Sequence, residues 1–153
     1  KKAGMHTALD TSGYVKFDIF KEILKYVDLL LYDLKVMDPQ KHKEYTGVTN
    51  EIILSNLKEV DKMNVPIEIR IPIIPGYNDL EDNLYATCEF INSLHNVQRI
   101  KMLPYHRLGE GKYTRLDMEY KLKGLETPSK AYMEQKINFM KSKLRHDIPL
   151  SSG

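Results

Sequence analysis

Two ionisable residues at the end of an apolar segment are the first candidates for chemistry in this sequence. The segment LLLYDLK (29–35) has the composition of a buried strand, and it carries Asp33 and Lys35 two positions apart. Residues two apart on a strand project from the same face, and a charged side chain without a partner strongly destabilises an apolar interior. Asp33 and Lys35 are therefore expected either to pair with each other and with nearby groups, or to face a ligand at the strand's end.

Polar residues follow the other predicted strands in the same way. Asp10 and Thr11 end the first strand in LDTSG, and Arg70 lies within the third, which leads into the turn PGYND. His106 follows the fourth strand in LPYH. The carboxyl ends of parallel strands lie along one edge of a sheet. Two carboxylates, a lysine, an arginine and a histidine are therefore expected to converge on one cleft that suits a polar, zwitterionic ligand.

Each of these residues also has a purely structural interpretation. Asp10 before Thr-Ser-Gly fits an Asx turn, and Asp33 with Lys35 fits a structural ion pair. Arg70 fits a bridge to Glu68, and the histidine after the fourth strand fits an ordinary loop residue. The pattern by itself therefore indicates only an α/β barrel-like protein with an anionic or zwitterionic ligand.

The elements that must position these residues alternate along the chain, which predicts parallel strands joined by right-handed crossover helices. The predicted strands cover 4–10, 28–35, 66–74 and 97–105, and the predicted helices cover 17–27, 38–47, 49–64, 80–96 and 129–146. Four βα units are half of an eight-unit barrel or two-thirds of a six-unit one. We therefore predict an α/β fold, a single partial (βα) barrel domain with a parallel sheet over 1–147, followed by a disordered tail over 148–153.

Composition excludes several classes of function. The chain has 153 residues, 42% hydrophobic and 29% charged, which is ordinary for a globular domain. A net charge of +2 gives no reason to expect nucleic acid or an anionic membrane as a partner. No apolar run has the length of a membrane span, and the first residues lack the apolar core of a signal peptide. These features predict a cytoplasmic protein.

The single cysteine and the remaining histidines are expected to be structural. Cys88 lies in LYATCEFINSL, which has the pattern of an amphipathic helix, and is predicted to be a small buried core residue. One cysteine forms no internal disulfide and supplies no cysteine metal site. The other histidines have no comparable context: His6, His42, His95, His146.

Five segments in order closely resemble the glycyl-radical-enzyme activating enzymes, the family of the pyruvate formate-lyase activating enzyme within the radical S-adenosylmethionine superfamily. They are HTALDTSGY, LLLYDLKVMDPQKHKEYTGVTNEIILSNL, IEIRIPIIPGYND, IKMLPYHRLGEGKY and YKLKGLETPSKAYME. The resemblance runs from about residue 4 to about residue 145. It implies that the chain corresponds to the C-terminal two-thirds of a six-unit radical SAM barrel, its units three to six.

The resemblance also implies roles for the candidate residues. Asp10, Asp33 and Lys35 match positions near the methionyl and ribose parts of S-adenosylmethionine, and Arg70 and His106 match further cofactor-binding positions. Asp10 and Asp33, with Thr11, match a set that shares a small cation with the cofactor carboxylate, although Lys35 is an alternative source of counter-charge. None of these residues is implied to be a catalytic acid or base.

One feature of the family is absent from this chain. Its chemistry requires a CxxxCxxC loop that holds a 4Fe–4S cluster, and the single cysteine here cannot do so. The glycine-rich GGEP-type stretch is absent too. The sequence is therefore expected to be part of a longer parent and to be inactive alone, with an open edge at the first strand that favours dimerisation or edge pairing.

In such a parent, the resemblance implies one-electron cleavage of S-adenosylmethionine to methionine and a 5′-deoxyadenosyl radical. That radical abstracts hydrogen from a glycine of a partner glycyl radical enzyme of the pyruvate formate-lyase type, and flavodoxin or ferredoxin supplies the electron. The HRLGEGKY loop and the helical segments after residue 36 are candidates to contact this partner.

Two functions from other classes remain open. One is a metal-assisted hydrolase or isomerase on a βα barrel, with Asp10, Asp33 and His106 as ligands and Lys35 as acid. The other is a non-catalytic module whose strand-end edge only binds a partner.

Overall fold

The protein forms a five-stranded parallel sheet with helices between the strands, as seen in a computed structural model that describes residues 3–107, 115, 120, 122 and 124–153. The strands are β1 (Ala8–Thr11), β2 (Leu29–Asp33), β3 (Ile67–Ile73), β4 (Val97–Pro104) and β5 (Leu150–Ser152). The helices are α1 (Phe17–Leu24), α2 (Pro39–Thr46), α3 (Glu51–Asp61), α4 (Glu81–Asn92) and α5 (Lys130–Lys141). The predicted α/β fold with a parallel sheet is confirmed.

The strand order gives the sheet one helix-covered face and one open face. The strands lie side by side in chain order, β1-β2-β3-β4-β5, and all pairs are parallel. Right-handed crossovers that always advance in one direction put the connecting helices on one face, which is the arrangement of a partial barrel. The other face corresponds to the inside of such a barrel.

The helix-covered face holds the hydrophobic core. In β3 the alternate residues Ile67, Ile69, Ile71 and Ile73 are at most 1% exposed. They pack with apolar residues of the neighbouring strands and helices, among them Leu30, Tyr32, Leu57, Leu84, Ile91, Ile100, Met102 and Met140. The residues between them in β3 are Glu68, Arg70 and Pro72, so the period-two pattern separates an apolar face from a polar one.

The C-terminal segment is ordered, which contradicts the prediction of a disordered tail over 148–153. Leu150–Ser152 pairs in parallel with β4, with Ile100 N donating to Pro149 O and Gly153 N donating to Met102 O. The side chains of Ile148 and Leu150 are buried in the core. Their burial and the ladder hydrogen bonds stabilise a strand that is too short to show a periodic pattern in the sequence.

The helix boundaries follow local capping chemistry. Asp38 caps α2 by accepting hydrogen bonds from the amides of Gln40 and Lys41, and Gly47 ends the helix in a left-handed conformation (φ 87°). Asn50 occupies the N-cap position of α3, although its side chain makes no cap hydrogen bond. No helix in the described part of the chain combines the length and apolar character needed to cross a membrane.

Candidate functional site

The charged residues of β1, β2 and β3 lie on the open face, at the carboxyl ends of the strands. In the sheet register, Asp33 on β2 is the partner of Arg70 on β3. Asp10 on β1 is the partner of Leu31, which lies two residues before Asp33 on the same face of β2. Lys35 follows β2 two residues after Asp33 and so continues the same face. The predicted convergence of Asp10, Asp33, Lys35 and Arg70 along one edge is therefore present in the fold.

Asp33 and Lys35 pair with each other, which answers why a buried strand ends in two charges. Lys35 Nζ lies 3.3 Å from Asp33 Oδ2, and the two side chains are 32% and 27% exposed. Both heads therefore reach water at the strand end, and their charges offset one another. The pair can still present a cation and a carboxylate to a zwitterionic ligand, because neither group is fully enclosed.

Arg70 pairs with Asp10 and not with Glu68. Arg70 Nη1 lies 2.5 Å from Asp10 Oδ2, across the intervening strand β2. Glu68, which is buried, accepts instead from Arg99 Nε on β4, its partner in register. The structural alternative of an Arg70–Glu68 bridge is therefore wrong: Arg99 is the register partner of Glu68 and binds it, while Arg70 reaches diagonally to Asp10.

The turn after β1 is fixed by contacts that the sequence did not reveal. Thr11 Oγ accepts a hydrogen bond from Gly13 N, and Asn56 Nδ2 donates to the carbonyls of Gly13 and Val15. Gly13 has φ 71°, and a Cβ atom there would lie 1.8 Å from Tyr32 Oη. Only glycine fits this close approach, which holds the turn down over β2 next to Asp10.

The two carboxylates predicted to share a cation already have counter-charges. Asp10 contacts Arg70, and Asp33 contacts Lys35. Thr11 follows Asp10 directly in β1, so it lies on the opposite face of the strand. The described residues contain no group of three or more His, Cys, Asp or Glu arranged to hold a metal ion. Lys35 does supply counter-charge to Asp33, and the small cation shared by Asp10, Thr11 and Asp33 stays a prediction.

Three asparagine side chains hold the backbone immediately after β2. Asn78 Nδ2 donates to the carbonyls of Lys35 and Pro72, and Asn83 Nδ2 donates to Lys35 O, while Asn83 Oδ1 accepts from Met37 N. Asn50 Nδ2 donates to Val36 O and Met37 O. These amides satisfy buried peptide groups where the strand has ended, and they fix the backbone from which the Lys35 side chain projects.

The PGYND turn that contains Asn78 is in turn tied to α5 by Asp79. The Asp79 carboxylate accepts from Gly76 N (2.7 Å) and from the Tyr132 hydroxyl, and its carbonyl accepts from Lys136 Nζ (2.8 Å). Burial, the hydrogen bond to Asp79 and its negative charge together raise the pKa of Tyr132 to about 12. The turn therefore links the ends of β2 and β3 to the last helix.

The place of His106 in the predicted site stays a prediction. His106 is exposed and follows β4, and it makes no hydrogen bond or ion pair with another described residue. Most of the HRLGEGKY loop, residues 108–113, lies outside the described residues. Among the other histidines, His42 is buried and its Nδ1 contacts Val48 O at 2.7 Å, a structural role as predicted.

Cys88 does not fit a cluster ligand. It is buried in α4, where its thiol contacts Met140 O at 3.8 Å. Burial, with a smaller contribution from Glu89, raises the pKa of this thiol to about 11, and the nearby Lys143 only partly opposes the shift. Because iron is bound by thiolates, the chain's single cysteine supplies no site for a 4Fe–4S cluster, and the prediction of a buried core cysteine is confirmed.

Sequence reasoning missed two sets of residues at this edge. The first set is the three asparagines that hold the backbone after β2, here called the amide clamp: Asn50, Asn78, Asn83. Within it, the PGYND segment around Asn78 gave a turn signal, and Asn83 gave none. The second is the basic pair on β4, Arg99 and Lys101, which a register shift between Ile67 and Glu68 brings onto the open face. The hydrophobic alternation of Ile100 and Met102 was the available signal for the second set.

Comparisons with known proteins agree with this architecture. The choline trimethylamine-lyase activating enzyme of Oleidesulfovibrio alaskensis is 39% identical over 155 residues, which cover 95% of this chain and 50% of that protein. The pyruvate formate-lyase 1-activating enzyme of Escherichia coli (strain K12) is 39% identical over 137 residues, which cover 88% of this chain and 56% of that protein. The chain thus spans about half the length of these curated relatives.

A solved structure matches over a larger share of its length. A domain of the pyruvate-formate lyase-activating enzyme from Bacteroides vulgatus superposes with a TM-score of 0.78 and 31% identity, covering 99% of this chain and 83% of that one. A search against protein-family models gave no match. At this identity and coverage the relationship is one of sequence as well as fold, and the chain belongs to the family of glycyl-radical-enzyme activating enzymes.

Proposed function

We propose that this chain is the cofactor-positioning part of a radical SAM activase, which cleaves S-adenosylmethionine to generate a glycyl radical on a partner enzyme such as pyruvate formate-lyase. The observation that carries the proposal is the pairing of Asp10 with Arg70 and of Asp33 with Lys35 at one edge of the parallel sheet. Membership of the activating-enzyme family gives this edge its expected ligand.

The residues at the edge suit S-adenosylmethionine. Its methionyl part carries one ammonium and one carboxylate, and its ribose carries hydroxyls. Asp33 and Lys35 are the groups that would bind an ammonium and a carboxylate, and Asp10 with Arg70 would bind hydroxyls or further charge. Arg70 Nε, which is buried without a hydrogen-bond partner, leaves unused donor capacity at this edge. When bound and reduced, the cofactor supplies the hydrogen-abstracting radical chemistry.

The protein residues would act by binding and orientation. Opposite charges within each pair keep a defined geometry, so the ligand meets groups that are already positioned. His106 is included in the proposed cofactor site from the resemblance alone. A 4Fe–4S cluster is proposed only for a longer parent, because the described edge has no cysteine to hold it.

The proposed partners are proteins. A glycyl radical enzyme would present its glycine segment at the open face, and a flavodoxin or ferredoxin would donate the electron, with all of them in the cytoplasm. β1 is the edge strand of the described sheet, which supports dimerisation or edge pairing when the chain is isolated. Nucleic acid and membrane are not part of this proposal.

Cofactor binding by the chain itself is the first test. Titration calorimetry with S-adenosylmethionine compares the wild-type chain with Lys35→Met and Lys62→Met. Lys62 is the matched control because it also forms a lysine–carboxylate pair (2.6 Å to Glu59 Oε1), at the end of α3 that precedes β3 and so at the amino edge of the sheet. We expect Lys35→Met to weaken binding about tenfold or more, as for loss of one charge-assisted hydrogen bond, and Lys62→Met to leave it unchanged.

The full activity is tested in the complete natural protein. After anaerobic reconstitution with iron and sulfide, a reduced sample is expected to release methionine from S-adenosylmethionine and to give a glycyl-radical signal in electron paramagnetic resonance with a partner enzyme. Pyruvate formate-lyase and choline trimethylamine-lyase are the partners to compare. Cofactor turnover that depends on a divalent metal and not on reduction would contradict the proposal and favour the hydrolase alternative.

A further inference from the structure

A row of four polar residues crosses the open face of the sheet at one register level. Asp33 on β2 pairs with Arg70 on β3, Arg70 pairs with Lys101 on β4, and Lys101 pairs with Ser151 on β5. All four lie on the same face, because residues paired in a ladder project together. The row therefore has a carboxylate at one end and three hydrogen-bond donors in succession.

Among the residues that the structure describes, the strand residues of the open face include one cation more than the carboxylates pair. Asp10 contacts Arg70, Asp33 contacts Lys35, and Glu68 contacts Arg99. The Lys101 side chain makes no hydrogen bond or ion pair with any residue in the described part of the chain, although its backbone is part of the β4 ladders. Lys101 is nevertheless half-buried, in a strand whose adjacent residues Ile100 and Met102 are fully buried.

Lys101 also stands beside a cation that is itself incompletely satisfied. Like charges directly opposite on neighbouring strands repel, and Arg70 is the ladder partner of Lys101. Asp10 binds one terminal nitrogen of Arg70, while Arg70 Nε is shielded from water and donates to no acceptor. An anion between the two side chains would relieve both the repulsion and the unmet donor.

We propose that Arg70, Lys101 and Ser151 form a carboxylate-binding subsite on the β3–β5 part of the open face. Strands are about 4.8 Å apart, so Lys101 lies two spacings, or about 10 Å, from β2 and its Asp33–Lys35 pair. The subsite therefore takes a second ligand group, distinct from one held between Asp33 and Lys35. Only the source of that group rests on the proposed function: an acidic side chain of the partner's glycine segment, or the carboxylate of S-adenosylmethionine, which in that case binds here and not at Lys35.

Sodium acetate is the probe that tests the subsite directly. The ¹⁵N-labelled chain is titrated with acetate against chloride at constant ionic strength, and nuclear magnetic resonance follows the amides of Lys101 and Ser151 and the Nε–H of Arg70. We expect saturable shifts at these groups. In Lys101→Met the acetate affinity should fall about tenfold, the size expected for loss of one charge-assisted hydrogen bond, whereas the exposed helix lysine variant Lys21→Met should match wild type.

The outcomes separate this subsite from the proposed function. Shifts that do not saturate, or that persist unchanged in both Lys101→Met and Lys101→Glu with the fold intact by circular dichroism, would overturn the subsite. Acetate involves neither cofactor nor partner, so a chain that binds acetate here but not S-adenosylmethionine would count against the proposed function alone.

Two ligand pairs then identify the source of the carboxylate. S-adenosylmethionine is compared with its decarboxylated analogue, and a glycine peptide carrying one glutamate is compared with its glutamine twin. If S-adenosylmethionine reproduces the acetate shifts and its decarboxylated analogue does not, the cofactor supplies the carboxylate. If the glutamate peptide reproduces them and its glutamine twin does not, the partner supplies it. Either result supports the subsite. If neither pair reproduces them while acetate does, the acetate response is non-specific and the assignment to a ligand carboxylate is overturned.

Discussion

The two faces of the same five strands differ in almost every physical property. On the helix-covered face of β3, alternate isoleucines are at most 1% exposed and belong to the hydrophobic core. On the open face, the intervening residues Glu68 and Arg70 carry charge, and Arg70, which pairs with Asp10, keeps 24% of its side chain exposed. The strand IEIRIPI thus places buried apolar side chains and charged side chains at adjacent positions in the sequence.

The difference has an energetic basis. Burial of an isoleucine side chain contributes about 1.5–3 kcal/mol, whereas an ion pair that reaches water contributes about 0–1 kcal/mol. The covered face therefore stabilises the fold, and the open face adds little to stability while its charges stay available to a ligand. Substitutions on the two faces should separate these contributions.

The largest expected effect is on the covered face. Ile69→Ala removes a side chain that is 0% exposed and leaves a cavity in the core, and it should lower the free energy of unfolding by about 3 kcal/mol. The neighbouring Arg70→Met, on the open face, should change it by less than about 1 kcal/mol. Urea unfolding followed by circular dichroism measures both. Equal losses for the two variants would refute the division between the faces.

A second variant tests the amide clamp, where the open edge does depend on buried contacts. Asn78→Ala leaves Ile74 N and Pro72 O without their side-chain partner, and leaves Lys35 O with only the 3.3 Å hydrogen bond from Asn83, so we expect a loss of about 2 kcal/mol. Asn138→Ala, on the exposed side of α5, is the control and should be neutral within about 0.5 kcal/mol.

The clamp also predicts a local effect of the same variant. Amide hydrogen exchange should become faster at residues 35–37 and in the 74–79 turn of Asn78→Ala, while the core strands β3 and β4 keep their protection. If exchange at 35–37 stays at the wild-type rate, Asn78 does not hold the Lys35 backbone.

Much of the difference between the two faces could be predicted from the sequence, because apolar and polar residues alternate with period two along the strand β3. The alternation in β3 and the apolar run of β2 identified the strands, and parallel topology placed Asp10, Asp33, Lys35 and Arg70 at one edge. The pattern could not show which carboxylate each arginine pairs with. Arg70 pairs with Asp10 because the register places Arg99 opposite Glu68. That register depends on a shift between Ile67 and Glu68, and the hydrophobic periodicity of the sequence gives no signal of it.

Non-local contacts account for the other differences. β5 is three residues long and depends on a strand about 50 residues earlier in the chain, so its pairing has no local signal. The first strand was predicted to begin at residue 4, but it begins at Ala8, because Thr7 N donates to Asp28 Oδ2 instead of joining the ladder. Asn83 lies in an ordinary helix, and only the folded chain brings its amide to Lys35.

A third prediction concerns the link between the clamp and α5. The raised pKa of Tyr132, about 12 against a usual value of 10, means that the folded state keeps the phenol protonated where the unfolded state loses the proton. The unfolded state then binds fewer protons, so stability is complete below about pH 10 and falls as the pH rises toward about 12. Tyr132→Phe should lose less stability than wild type between about pH 9 and about pH 11. Urea unfolding at both pH values measures the difference, and identical pH slopes would contradict it.

The smallest expected effect on stability belongs to the residue that matters most for the proposed site. Lys35→Met removes the head of an ion pair whose members are both about one-third exposed, so the free energy of unfolding should change by less than about 0.5 kcal/mol, as for the surface variant Lys62→Met. The methionine side chain replaces the aliphatic part of Lys35 and keeps its packing, and Asp33 remains solvated. A loss above about 2 kcal/mol in urea unfolding would show that the pair supports the fold and is not held ready for a ligand. Near-neutral stability combined with weakened S-adenosylmethionine binding would assign the charge of Lys35 to recognition.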